Sequence, residues 1–324
     1  MTTTGIIQAQ SGRERLAQAA RAKYALGSIT LTFQGDSENI TFRVHAEGND
    51  ARYLLRRYKP QQQTQHTEAG LRSEMDWLAA LRADTAIIAP CPIANLGGGW
   101  VKDVGGVLWT LTAWVEGRFL TDQHAPSHAL QAGETLARLH RHGETWAQPE
   151  EFSRPRHDAR ALREHLETYR LAAVSGLLTS DDLAIIEAAG EQIFAVMGEV
   201  GEAQSDFGLI HGDFHNRNYL FHRGEVRPID FSLCGDGYYL ADLGYALCGL
   251  YHRGVCLAGY QSIRPLPALH LLLIETFMVS DILGETAFHM KRAQQQGRPF
   301  DQPTWLVEKL RDKFVRGERF LTDW

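Results

Sequence analysis

Strand-like and helix-like patterning split this 324-residue chain into two parts, and that split limits its fold more than any other feature. Before Val115 the runs "SITLTFQ" (28–34), "NITFRVHA" (39–46) and "ARYLLRRY" (51–58) are rich in β-branched and aromatic residues, with turn signals "GDSE" and "EGND" between them. They predict an antiparallel three-stranded meander. A helical pattern precedes it in "RERLAQAARAKYAL" (13–26), and another follows in "TEAGLRSEMDWLAALRA" (67–83), where Leu71, Met75, Leu78 and Leu81 recur at helical spacing. Further strands are expected in "IIAPCPIANL" (87–96) and "GVLWTLTAWV" (106–115). Beyond Glu116 the pattern turns helical: "SHALQAGETLARLHRH", "DARALREHLETYRLAAV", "SDDLAIIEAAGEQIFAVMGEV" and everything after Tyr239 read as helices, several opening with Ser or Asp caps. The expected organisation is a lobe over residues 1–115 and a second over 116–324.

Composition narrows the class. At 44% hydrophobic and 22% charged residues the chain can bury substantial cores. The four cysteines form no CxxC pair, and the N-terminus has no basic segment followed by an apolar one, so a cytoplasmic protein is expected. "ALHLLLIETFMVSDIL" (268–283) is interrupted by His270, Glu275 and Asp281, costly residues in lipid, and reads as a buried helix. A net charge of −6 argues against a nucleic-acid binder. The negative charge lies in the C-terminal part, where it either attracts a cationic substrate or decorates solvated helix faces.

The stretch "LIHGDFHNRNYLFHRGEVRPIDF" (209–231) concentrates the chemistry. "NYLFH" and "EVRPIDF" flank the turn "RGE" and predict a hairpin, with Asn218 entering one strand and Asp230 leaving the other. Asp213 precedes Asn218 by five residues in the adjoining loop. Two carboxylates and an amide oxygen suit a hard cation such as Mg²⁺, which is held by one or two carboxylates together with substrate phosphates. Asp230 and Asn218 are the candidate metal ligands, and Asp213 the candidate acceptor of a proton from a hydroxyl nucleophile.

"HGDFHNRN" resembles the HGDxxxxN motif of the superfamily of aminoglycoside phosphotransferases, choline kinases and type II homoserine kinases, and "IDF" resembles its DFG counterpart. "SENITFRV", "YLLRRY", "LRSEMDWLAAL", "LTAWVEGRFL", "GETLARLH" and "ADLGYAL" resemble further segments of that family in the same order. The resemblance implies an α+β, bilobal protein-kinase-like fold with a small antiparallel-sheet N-lobe and a larger, mostly helical C-lobe. It implies an ATP- and Mg²⁺-dependent kinase with Asp213 as catalytic base. By the same resemblance "QGDSEN" (34–39) covers the nucleotide with Gly35 and Ser37, and Arg56 occupies the position usual for the phosphate-binding lysine. Glu74 is then its partner on the helix, and the Ala113 carbonyl and Val115 amide meet adenine. Arginine and lysine bind phosphate with different geometry, so Arg56 departs from the pattern. Ser232 is a second departure, at a position where many relatives carry another acid; Asp236 is the nearest substitute. Asp242 resembles a structural aspartate that holds the catalytic loop.

Two other functions fit some of these residues. A nucleotide-binding scaffold without turnover is motivated by Arg56 and the glycine-poor loop, and a metal-dependent hydrolase by His211 and His215 as ligands. A structural role bonded to backbone suits His211 better than metal binding. The partners expected are ATP and a hydroxyl-bearing small molecule, with protein Ser or Thr as a further acceptor, and neither nucleic acid nor membrane.

Overall fold

The computed structural model describes the whole chain except residues 1–14, 16, 37–38, 60–65, 121–124, 249, 299, 301–303 and 320–324. The chain divides into two compact units. The first comprises Met1–Gly117 and takes in two later segments, Gln148–Arg154 and Arg227–Ser232; the second comprises Arg118–Ala147, Pro155–Val226 and Leu233–Trp324.

The first unit is built on a five-stranded antiparallel sheet of order β1-β2-β3-β5-β4, formed by Ile29–Asp36, Asn39–Ala46, Ala51–Tyr58, Lys102–Asp103 and Leu108–Ala113 (β1 to β5 in chain order). The expected meander is β1–β3, with a bulge between Phe33 and Gly35. Alternation in β2 puts Ile40, Phe42 and Val44 on one buried face, where they meet Leu55, Trp109 and Leu111. Ala17 and Ala20, from the described helical residues 17–21 of the expected opening helix, cover that face together with Tyr24. Helix α1 (Glu68–Asp84) starts where the Thr67 hydroxyl accepts from the Gly70 amide and buries Leu71, Met75, Trp77, Leu78 and Leu81.

One expectation needs correction. "IIAPCPIANL" is not a strand; it makes an isolated bridge, Pro92 to Thr112, with Ile93 donating to the Leu111 carbonyl. Pro90 and Pro92 have no N–H to give, so a continuous ladder cannot form there.

The second unit is mostly helical: α2 (Pro126–Thr145), α3 (Ala159–Val174), α4 (Ser180–Val200), α5 (Tyr239–Cys248), α6 (Arg253–Ile263), α7 (Ala268–Gln295) and α8 (Thr304–Asp312). Asp158 caps α3 as expected, but α4 is capped by Thr179 and α2 opens on Pro126. Helices α2 and α6 pack closely at Gly133, where a Cβ would lie 1.9 Å from the Cys256 carbonyl oxygen. Three short strands, β6 (Arg156–His157), β7 (Phe207–Ile210) and β10 (Gly235–Tyr238), form a sheet of order β6-β10-β7 that the patterning did not announce. The hairpin β8 (Tyr219–His222) and β9 (Glu225–Pro228) was anticipated. Its two-residue turn has Arg223 at φ 51° and Gly224 at φ 85°, the doubly positive geometry that matches strand twist. No described helix is long and apolar enough to cross a membrane.

Candidate active site

The motif residues lie in both units, and each unit fixes its own set. In the second, the loop after β7 is tied down by a buried relay. Asp242, at the start of α5, accepts from the His211 amide at 2.9 Å and from the Gly212 amide at 3.1 Å, so it holds the loop as the sequence suggested. His140 on α2 lies 3.0 Å from Asp242 through Nε2 and 2.8 Å from the Tyr260 hydroxyl through Nδ1. Burial keeps the imidazole neutral by lowering its pKa, so Nε2–H donates to Asp242 and Nδ1 accepts from Tyr260. Burial works against the Asp242 charge, yet the hydrogen bonds from His140 and the His211 amide hold the carboxyl below the ordinary carboxylate range. Gly212 has φ 77°, and a Cβ there would lie 2.3 Å from the Leu233 carbonyl oxygen, which explains glycine in "HGD".

That relay places Asp213. Its carboxylate accepts from Asn218 Nδ2 at 2.5 Å, and the same nitrogen donates to the Asp213 carbonyl at 3.0 Å. The Asn218 amide nitrogen is thereby used, and its side-chain oxygen is the acceptor that group retains. His215 Nε2 lies 3.3 Å from Asp213 Oδ1, and its Nδ1 accepts from the Arg217 amide. His211 is fully buried, accepts from the Asp213 amide at 3.3 Å and packs edge-on against Phe214, a structural role.

Three residues around Asp213 had no sequence signal. The His215 ring packs edge-on against Tyr245, whose hydroxyl donates to Glu285 at 3.0 Å. Burial, with the negative charge of Asp242, Asp213 and Glu285, pushes the Asp281 carboxyl well above the ordinary range. Asp281 and Glu285 lie one turn apart on α7, Asp281 inside the run read from sequence only as a buried helix and Glu285 just beyond it.

In the first unit, Arg56 on β3 turns inward with 14% of its side chain exposed; Nη1 lies 3.3 Å from Asp230 Oδ1 and 3.8 Å from Glu74 Oε1. Burial disfavours its charge, but Asp230, Tyr58 and Glu74 more than offset that and raise its pKa. Burial pushes the Glu74 carboxyl above the usual range although Arg154 and Arg56 pull it down. Asp230 has φ 59°, left-handed backbone that is uncommon outside glycine. Arg154, absent from the sequence reading, approaches Glu74 from the side opposite Arg56, at 3.8 Å from Oε2.

The remaining expected residues are placed as follows. Gly35 is the last residue but one of β1, opposite Thr41 and with ordinary φ, and Ser37 lies outside the described residues. Ala113 closes β5, its amide donating to the Cys91 carbonyl at 2.7 Å, and Val115 follows, buried. Asp236 sits on β10, 3.9 Å from Arg156.

Each unit offers an oxygen donor of the kind magnesium takes. Asp230 offers a carboxylate with 43% exposure and Asn218 an amide oxygen, and no group of three or more His, Cys, Asp or Glu able to hold a metal occurs among the described residues. Oxygen ligands are what Mg²⁺ takes when phosphates complete its shell.

A model of the phosphotransferase enzyme family matches residues 30–262. No curated protein matches the chain. Among solved structures, a microcompartment-associated aminopropanol kinase is 24% identical, with 95% of this chain and 99% of that one covered and a TM-score of 0.74. An amicoumacin kinase in complex with AMP-PNP, Ca²⁺ and Ami is 18% identical (95% and 96% covered, TM-score 0.77). The choline kinase of Cryptosporidium parvum Iowa II is 15% identical (94% and 95% covered, TM-score 0.64). At these identities the likeness is one of fold.

Proposed function

The chain belongs to the phosphotransferase enzyme family, and we propose that it is an ATP-dependent kinase that moves the γ-phosphate to a hydroxyl of a small molecule. Asp213 orients the acceptor hydroxyl and takes its proton; Arg56, steadied by Glu74, neutralises the nucleotide phosphates. Gly35 and Ser37 cover those phosphates, the Ala113 carbonyl and Val115 amide meet the adenine, and Asn218 and Asp230 hold Mg²⁺. Magnesium, when bound, offsets the charge of the phosphate oxygens. The observation that carries this reading is the Asp213 loop: Asp242 fixes its backbone and Asn218 its carboxylate, the preorganisation a proton acceptor needs.

The acceptor carries a cationic amine in this reading. Asp281 and Glu285 near Asp213 support that, as do the names of the aminopropanol and choline kinases of like fold. The test is a phosphate-acceptor screen with ATP and Mg²⁺ using matched alcohols with and without an amine. Phosphorylation of the amino alcohols ahead of their amine-free counterparts is expected. Nucleotide binding without transfer to any acceptor would overturn the kinase reading in favour of a binding scaffold, and equal rates for both sets would remove the amine.

A further inference from the structure

We propose that Arg154 is a positioning residue of the phosphotransfer site, a single buried guanidinium that sets both the phosphate-binding Arg56 and the metal-binding Asp230. The inference rests on the reading of Asp230 as a magnesium ligand. Arg154 ends the short segment Gln148–Arg154 that joins the first unit, and its side chain is 1% exposed. Next to it the Ser153 amide donates to the Ser73 hydroxyl on α1 at 2.8 Å, which anchors the segment on that helix.

The guanidinium then reaches three places. Nη1 donates to the Gly70 carbonyl at 3.2 Å and lies 3.8 Å from Glu74 Oε2. Nη2 donates to the Phe231 carbonyl at 3.3 Å and the Ser232 carbonyl at 2.5 Å. These carbonyls belong to the two residues that follow Asp230. A non-glycine residue with positive φ persists only where its surroundings over-determine it. Here Arg56 holds the Asp230 carboxylate, Trp77 packs edge-on against Phe231 at 5.3 Å, and Arg154 clamps the backbone beyond. Glu74 meanwhile stands between the two arginines, one on each carboxylate oxygen, so the position of its Arg56-facing oxygen follows from where Arg154 holds the other. A planar fork with five donors can serve a carboxylate and three carbonyls at once; an ammonium on a flexible stem cannot.

Calorimetric titration of a non-hydrolysable ATP analogue, with and without Mg²⁺, tests this on the full chain. In the wild type Mg²⁺ is expected to tighten binding by about tenfold or more; in Arg154→Lys most of that gain is lost, at the scale of about 10- to 100-fold typical of residues that support a metal ligand. The acceptor KM stays within about twofold, which a general loosening of the fold would not allow. Arg154→Gln is the second variant, and it leaves no uncompensated charge because Glu74, already inclined to protonate, can take up a proton. A wild type with no Mg²⁺ gain would sink the magnesium reading of Asp230 itself. A wild-type gain kept in full by either folded variant would overturn the role of Arg154 alone. So would failure of both variants to fold, since Arg154 would then belong to the fold rather than to the site.

Discussion

Arg56 and Asp230 are 174 residues apart in sequence, and their side chains meet at 3.3 Å within the first unit. The same Nη1 that donates to Asp230 faces Glu74, so the guanidinium spans two carboxylates. An ammonium carries the charge but not the planar reach. Arg56→Met should lower kcat/KM by about 10- to 150-fold, the scale of one hydrogen bond to a charged group of about 1.5–3 kcal/mol. Arg56→Lys should fall between that variant and the wild type. Steady-state kinetics with nucleotide varied checks both, and a lysine variant as active as the wild type would show that the fork is not used.

Asp213 can be probed almost without disturbing its surroundings. In Asp213→Asn the side-chain oxygen still accepts from Asn218 Nδ2, while the negative charge that draws the hydroxyl proton is gone. Single-turnover rates should fall by about 10²- to 10⁴-fold, the usual contribution of a positioned base. Nucleotide affinity, measured by titration, should move by less than about twofold, because Asp213 touches the acceptor in this mechanism and not the phosphates. Lost affinity with normal turnover contradicts the assignment.

Much of this was legible in the sequence. The meander β1–β3, helix α1 and the hairpin β8–β9 follow from period-2 and period-3.6 patterning with their turn residues, and the Asp213, Asn218 and Asp230 spacing follows from the loop and hairpin. Arg154 was not legible because its partners are a helix carbonyl, a helix glutamate and two loop carbonyls, none of them near it in sequence and three of them backbone. Asp281 hid differently. In a single sequence it interrupts a greasy run, and only the placement of Asp213, Asp242 and Glu285 gives its charge a neighbourhood. Strand β10 (Gly235–Tyr238) escaped because "GDGY" lacks the β-branched residues that announce a strand.

His66 reports on the arginine-rich side of the first unit. Burial, and then the charges of Arg56 and Arg154, lower its pKa from 6.5 to about 4. A depressed pKa means that the unfolded chain binds the proton more readily, so the contribution of His66 to stability is complete above pH 6.5 and is lost as pH falls toward about 4. Phenylalanine keeps an edge-on ring against Tyr58 without the titration. The difference in melting temperature between His66→Phe and the wild type should therefore grow in favour of the variant between pH 6.5 and 4, and stay flat above. Parallel melting curves across the whole range would place the ring outside that field.

Gly133 sets how closely α2 and α6 approach, and through α2 where His140 stands. A Cβ at this position would lie 1.9 Å from the Cys256 carbonyl oxygen and 2.8 Å from the Tyr260 amide nitrogen, both backbone atoms of α6 that cannot rotate away. The helices must separate to admit it. Helix propensity pulls the other way, since alanine gains about 1 kcal/mol over glycine in a helix interior. Overpacking between backbones outweighs that, so Gly133→Ala should destabilise the protein by about 2 kcal/mol net in denaturant titration. The consequence reaches the active site, because Tyr260 sits on α6 and His140 on α2, and their 2.8 Å hydrogen bond crosses the widened gap. Turnover should then drop in the folded variant by more than the small unfolded fraction explains, with nucleotide affinity retained. A Gly133→Ala protein as stable as the wild type would mean that the two helices part at no cost, against the backbone contact that limits their approach.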